Sequence, residues 1–152
     1  MSEEAISLID IVKAAEEASV QFMQDVCEKV GIPMPKIKWH WDIYVGGRRG
    51  MGAYNAESEL IIMNFSAVGD LYKKFEGDLL FVLRGVIYAF LHEFAHHMQY
   101  KTSGMSLEEW VDYTDKNEKL CEALANLYAS SYVDEVLSLA LTKLSEMKSK
   151  QS

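Results

Sequence analysis

The segment from Asp78 to about Tyr100 constrains this chain more than any other. Leu79, Val82, Leu83, Val86, Ile87, Phe90, Leu91, Phe94 and Met98 recur at helical spacing, and the apolar surface they make is wider than a single stripe. A helix that is apolar around much of its circumference has to be covered on several sides. It therefore belongs at the centre of the fold, with the rest of the chain packed round it. Its most apolar stretch, Leu79 to Leu91, is interrupted by Arg84 and falls short of the roughly 20 residues that span a bilayer, so it reads as a buried helix. The 152 residues suffice for one domain that buries about two-thirds of its unfolded surface.

The flanking segments supply the cover. Residues 5–30 carry apolar positions (Ile6, Ile9, Val12, Ala15, Val20, Met23, Val26, Val30) at helical intervals, with Gly31 placed as a C-cap and Pro33 and Pro35 barring continuation. The period then changes to two. Ile37, Trp39, Trp41, Ile43 and Val45 alternate with polar partners, as in a half-buried strand. Both tryptophans are expected to pack between sheet and helices. A glycine-rich connection over 46–52 reads as a hairpin loop, since it lacks the spacing and ending of a phosphate loop. Residues 53–64 read as one or two further strands, with Ala56-Glu57-Ser58 as a tight turn and Leu60-Ile61-Ile62-Met63 as the apolar part. Ser103-Gly104 ends the central helix. A capping box at Ser106 to Glu109 opens a short helix over 106–113, and a second capping pattern, Asp115 to Glu118, opens the last helix over 116–146, after which a polar tail frays. The order predicts a single α+β domain of four helices and about three strands, with the helices on one face of an antiparallel sheet.

Hydrophobic residues make up 49% of the chain and charged ones 25%, which argues against disorder. The net charge of −8 argues against nucleic acid or an anionic membrane surface as the main partner, because both need a basic footprint. The N-terminus, Met1-Ser2-Glu3-Glu4, is acidic where a signal peptide would be basic. Two cysteines, Cys27 and Cys121, are too few for a disulfide framework. Together these predict a reducing, cytoplasmic setting. Trp39 and Trp41 apart, the eight methionines are expected to fill much of the core.

Three of the four histidines fall within six residues, His92-Glu93-Phe94-Ala95-His96-His97. His92 and His96 form H-E-x-x-H. On a helix this spacing puts both imidazoles on one face, a turn apart, where they can meet one zinc ion. Glu93 lies about 100° further round the helix, able to reach a metal-bound water without being a ligand itself. Placing two histidines and a glutamate in the most apolar helix without partners would cost on the order of several kcal/mol. Metal coordination removes that cost.

A catalytic zinc site needs a third protein ligand and one open position. A third histidine within an extended version of the motif would stand at 102, with glycine at 99, but these positions hold Thr102 and Gln99. His97 faces another side of the helix, and His40 is a remote possibility in the strand region. The remaining sources are Glu118 and Glu122, four residues apart on the last helix. Glu122 has the better surroundings, because Ala125, Asn126 and Ala129 share its face and let that helix approach the metal helix closely. Glu118 is the second choice. Cys121 faces a different direction from Glu122 and reads as a buried thiol.

The segment from Leu91 to His97, followed by Glu122-Ala123-Leu124-Ala125-Asn126-Leu127-Tyr128-Ala129, resembles the gluzincin-type zinc metallopeptidases. It is nearest to their smallest soluble members, the minigluzincins, and to the peptidase domain of ImmA/IrrE-like proteins. In that family a glutamate on a later helix is the third ligand, followed by alanine, often asparagine, and alanine again, and Glu122, Ala125, Asn126 and Ala129 match. The resemblance implies a zincin-like fold and hydrolysis of a protein or peptide substrate. It also implies that the last strand before the metal helix, within 59–64, borders the substrate cleft and can pair with an extended peptide.

The mechanism expected of His92, His96 and Glu122 with zinc is a bound water of pKa about 7. Glu93 would take its proton and pass it to the leaving amine. Tyr54, Tyr100, Tyr113 and His97 are candidates for holding the oxyanion, and Asn126 for orienting a metal-binding imidazole. The alternative is a latent or non-catalytic zinc-binding regulatory module, kept closed by self-association or by the tail after Leu144 or the glycine-rich loop.

Overall fold

In the computed structural model, which describes residues 7–42 and 50–151, eight elements follow one another: α1 (Leu8–Val30), β1 (Lys36–His40), β2 (Gly52–Asn55), β3 (Leu60–Asn64), α2 (Phe65–Lys74), α3 (Leu79–Ser103), α4 (Leu107–Lys116) and α5 (Glu118–Gln151). The architecture is α+β and mostly helical. Helix α3 is central, as its apolar circumference requires, and packs most extensively against α5 and α1. Val82, Leu83, Val86, Ile87, Phe90, Leu91 and Phe94 are buried in one core with Ile11, Ala15 and Met23 of α1 and Ala129, Val133 and Val136 of α5. By length and composition α3 could cross a bilayer, but most of its apolar side chains are spent on this core, with Leu80 and Phe81 left exposed. Among the described methionines, only Met23 and Met63 belong to the fully buried core.

The ends of the helices follow from local chemistry. Ser7 and Asp10 form a capping box at the start of α1, and Gly31 closes it in the left-handed region at φ 82°. Asp78 accepts from the Phe81 amide to start α3, and Gly104 ends it at φ 75°. The Ser106–Glu109 capping box opens α4. The break before α5 lies later than Asp115. The Asn117 amide still donates to the Tyr113 carbonyl at 2.9 Å, so Asp115 sits inside α4, and the Asn117 carbonyl takes the first bond of α5, from the Cys121 amide at 3.0 Å. Helix α5 then continues through the polar tail to Gln151 instead of ending near 146.

Among the described residues five helices are present where four were expected. The additional one, α2, has a single buried residue, Val68, and no side-chain cap, so it leaves little pattern to read. The sheet is mixed, not antiparallel. Its order is β1-β3-β2, with β1 parallel and β2 antiparallel to β3. The short turn at 56–59 forces β2 and β3 into a hairpin. On its other side β3 pairs with β1. Strand β3 is thereby central and has no free edge, and the strand exposed at the edge on the site's side is β2. Strand β1 ends at His40, and the chain bends at Trp41. Trp39 stays half-buried against Phe65 and Phe90, while Trp41 is 76% exposed and stacks on Phe65. Residues 43–49, which include the end of the expected strand and most of the glycine-rich loop, lie outside the described residues, as do residues 5 and 6 of the expected first helix.

The pairing register determines what faces α3. Trp39, Met63 and Gly52 form one cross-sheet row, and Ile37, Ile61 and Tyr54 the next. Phe90 of α3 meets Trp39, Glu93 lies beside Gly52, and His97 meets Tyr54. The edge strand thus runs alongside the part of α3 that carries the histidines.

Candidate metal centre

His92 and His96 project from α3 a turn apart, and Glu122 of α5 meets both. Glu122 Oε2 is 2.8 Å from His92 Nε2, Glu122 Oε1 is 3.2 Å from His96 Nε2, and the two Nε2 atoms are 3.3 Å apart. These three residues form the one group of metal-ligating side chains found among the described residues, and it could hold a metal ion. Ligands at 2.0–2.2 Å in a tetrahedral zinc site stand roughly 3.4 Å from one another, close to the separations seen. Close approach of α5 depends on small residues: Ala125 and Ala129, one and two turns beyond Glu122, are fully buried.

The hydrogen bonds around His96 fix how it presents itself. Gln99 Nε2 donates to the Cys121 carbonyl at 3.1 Å, which turns Gln99 Oε1 toward His96 Nδ1, also at 3.1 Å. An amide oxygen only accepts, so Nδ1 carries the proton and Nε2 presents a lone pair. That lone pair faces a carboxylate oxygen, acceptor against acceptor, unless a cation or proton lies between them. The donor set of two imidazole nitrogens and one carboxylate suits a divalent transition metal. His92 is held in a similar way. Its ring stacks on Tyr88. Asn126, a hydrogen-bond partner that favours the charged ring, accepts from Tyr88 Oη at 3.0 Å. Burial holds His92 below the ordinary imidazole value, the neighbouring His96 adds to this, and Glu122 and Asn126 oppose it.

Glu93 stands beside the group and is 9% exposed. Burial, and secondarily the charge of Glu122, pushes its carboxyl from the ordinary 4.5 up to about 8. Gly52 makes room for it. A Cβ at position 52 would come within 3.3 Å of Glu93 Cγ, 3.3 Å of the Ile62 carbonyl oxygen and 3.0 Å of Met63 Sδ. A cleft of about 270 Å³ opens beside His96 and Glu122, bounded by Tyr54 and Ala56 at the sheet and by residues of α4 and α5.

The other candidates fall elsewhere. His40 is exposed at the end of β1 and lies outside the group. Glu118 lines the cleft one turn before Glu122 but is no part of the group. Cys121 is a buried free thiol. His97 is fully buried, with Nε2 donating to the Pro33 carbonyl at 2.8 Å and Nδ1 accepting from Tyr54 Oη at 2.8 Å. The proton of Tyr54 is therefore committed to His97, so neither is free to hold an oxyanion. Tyr100 and Tyr113 each pack against Trp110. Gln99 and Tyr88 escaped the sequence reading. Their spacing, i+3 from His96 and i−4 from His92, puts them on the faces of those ligands, but spacing alone does not say what an amide or a phenol there bonds.

Comparison with family models, with curated proteins and with solved structures finds no match to this chain.

Proposed function

We propose that the protein is a zinc-dependent peptidase on a zincin-like fold, of the gluzincin type, with His92, His96 and Glu122 as metal ligands and Glu93 as the general base. The observation that carries this reading is the position of Glu93, a nearly buried carboxyl beside a group of three metal-ligating side chains, two of which, His96 and Glu122, line an open cleft. No fourth ligand joins the group among the described residues. That supports a catalytic site, which keeps a position open, over a closed structural one. Zinc bound there would act as a Lewis acid and would acidify a water.

The chain's own residues account for the rest. Glu93 takes the proton of the attacking water and delivers it to the departing amine. Its raised proton affinity, moderated by the charge of a bound dication, suits a group that must both accept and give back a proton near neutrality. Gln99 keeps the His96 lone pair directed into the group. An extended peptide would pair with the outer edge of β2, on which no strand lies among the described residues, and this would carry its carbonyl past Glu93.

The test is hydrolysis of a broad pool of unstructured peptides, read by mass spectrometry, with zinc content measured in parallel. Wild type should cleave and lose activity to a chelator. Glu93→Gln should keep about one zinc per chain and fall by about 10²–10⁴-fold in rate. Cleavage by Glu93→Gln at the wild-type rate, or no cleavage by zinc-loaded wild type, would overturn the reading.

A further inference from the structure

The cleft contains more than the metal centre uses. We propose that it is a subsite for a basic side chain of the bound peptide, lysine or arginine, with Glu118 as the counter-charge. The proposal deepens the peptidase reading and rests on it for the peptide, but not for the pocket. Beyond His96 and Glu122 the cleft walls are the buried Trp110 with Val111 and Thr114 of α4, and Cys121 of α5. These are largely apolar surfaces, suited to the methylene stem of a long side chain. The volume of about 270 Å³ exceeds the roughly 150 Å³ that admits a benzene ring.

At the α5 side of this apolar channel stands one carboxylate with no assigned task. Glu118 and Glu122 share a face of the helix. Glu122 is taken up by the two histidines, whereas the Glu118 carboxylate makes no hydrogen bond or ion pair among the described residues. The surroundings reinforce its sign. Helix α4 carries Glu108, Glu109, Asp112 and Asp115. Lys116 is paired with Asp112 at 3.1 Å. Lys119 follows Glu118 but lies about 100° further round α5. A cleft with apolar walls and an uncommitted, exposed anion on its α5 side, in a chain of net charge −8, favours an aliphatic stem with a cationic head. A norleucine would occupy the cleft and leave the carboxylate without a partner.

The full-length Glu93→Gln variant keeps all three metal ligands and allows binding to be read without turnover. Loaded with zinc, it is titrated calorimetrically with three blocked peptides that are identical except for a central Lys, Arg or norleucine. The Lys and Arg peptides should bind about fivefold more tightly than the norleucine peptide, the range of a partly exposed ion pair. Adding Glu118→Gln should erase the preference for Lys over norleucine, and adding Glu118→Lys should reverse it in favour of norleucine. A stabilising role for Glu118 at the start of α5 would alter melting but not this ratio. Equal binding of Lys and norleucine, a preference unchanged by Glu118→Gln, or no binding of any peptide would each overturn the proposal. Selective binding by the Glu93→Gln variant with no hydrolysis by wild type would leave the pocket standing and remove the peptidase reading. Hydrolysis by wild type without the selectivity would do the opposite.

Discussion

At the scale of single residues, the arrangement depends on atoms that have one permitted role. Gln99 is one such residue, because its amide must donate to the Cys121 carbonyl and so must accept from His96. Gln99→Ala should free the imidazole to change tautomer and should weaken zinc binding by about 10–100-fold, measured by competition with a chromophoric chelator; an unchanged affinity would remove Gln99 from the centre. Glu93 gives a second prediction, through protons. Its carboxyl binds a proton up to about pH 8 in the metal-free folded chain but only to about 4.5 as an ordinary carboxyl. Its contribution to folding is therefore complete below 4.5 and is lost as pH rises toward 8, because the unfolded chain ionises first. Glu93→Gln has nothing to ionise. In the metal-free state its stability relative to wild type should rise by on the order of 3 kcal/mol between these two pH values, as measured by urea unfolding. A constant difference would mean that the carboxyl is not held protonated. The motif residues were legible in sequence because H-E-x-x-H is local, and Glu122 because small residues flank it. Gln99 and Tyr88 were not, since an amide or a phenol near a histidine has no meaning until another element supplies what it bonds.

At the scale of elements, the same division recurs. Helices α1 and α3 announced themselves through apolar period and caps, and the β2–β3 hairpin through its turn. Helix α2 went unread because it buries only Val68. The direction of β1 was invisible because strand alternation says nothing about the course of a connection that lies between strands. The consequence is specific: the edge available to a partner is β2 and not β3. Gly52 is the point where this edge strand passes Glu93. Gly52→Ala would set a methyl against Met63 Sδ, Glu93 Cγ and the Ile62 carbonyl at once, and a carbonyl within a paired strand cannot swing aside. Overpacking of this kind costs about 1–3 kcal/mol. Denaturant unfolding of Gly52→Ala should show that loss, and a neutral outcome would mean that the sheet and α3 have slack between them.

At the scale of the whole molecule, the metal group joins two helices that are distant in sequence. His92 and His96 belong to α3 and Glu122 to α5, the pair with the most extensive helix contact in the fold. Their donors converge only when these helices are packed, so an unfolded chain offers zinc far weaker purchase, and binding must add to folding stability. At about one hundred times its dissociation constant, zinc should contribute about 2.7 kcal/mol. A chain of this size gains about 2–4 °C in melting temperature per kcal/mol, so wild type should melt about 5–10 °C higher with zinc than with a chelator. Glu122→Ala breaks the link to α5 but leaves the two histidines on α3, which as a pair would bind zinc whether or not α5 is docked. Its zinc-dependent rise should be largely abolished, while Glu118→Ala, outside the group, should keep the wild-type rise. If Glu122→Ala gained as much as wild type, the metal would be held by α3 alone or at another place, and the clamp between the two helices would not exist. If Glu118→Ala lost the rise instead, the third ligand would have to be moved one turn toward the start of α5.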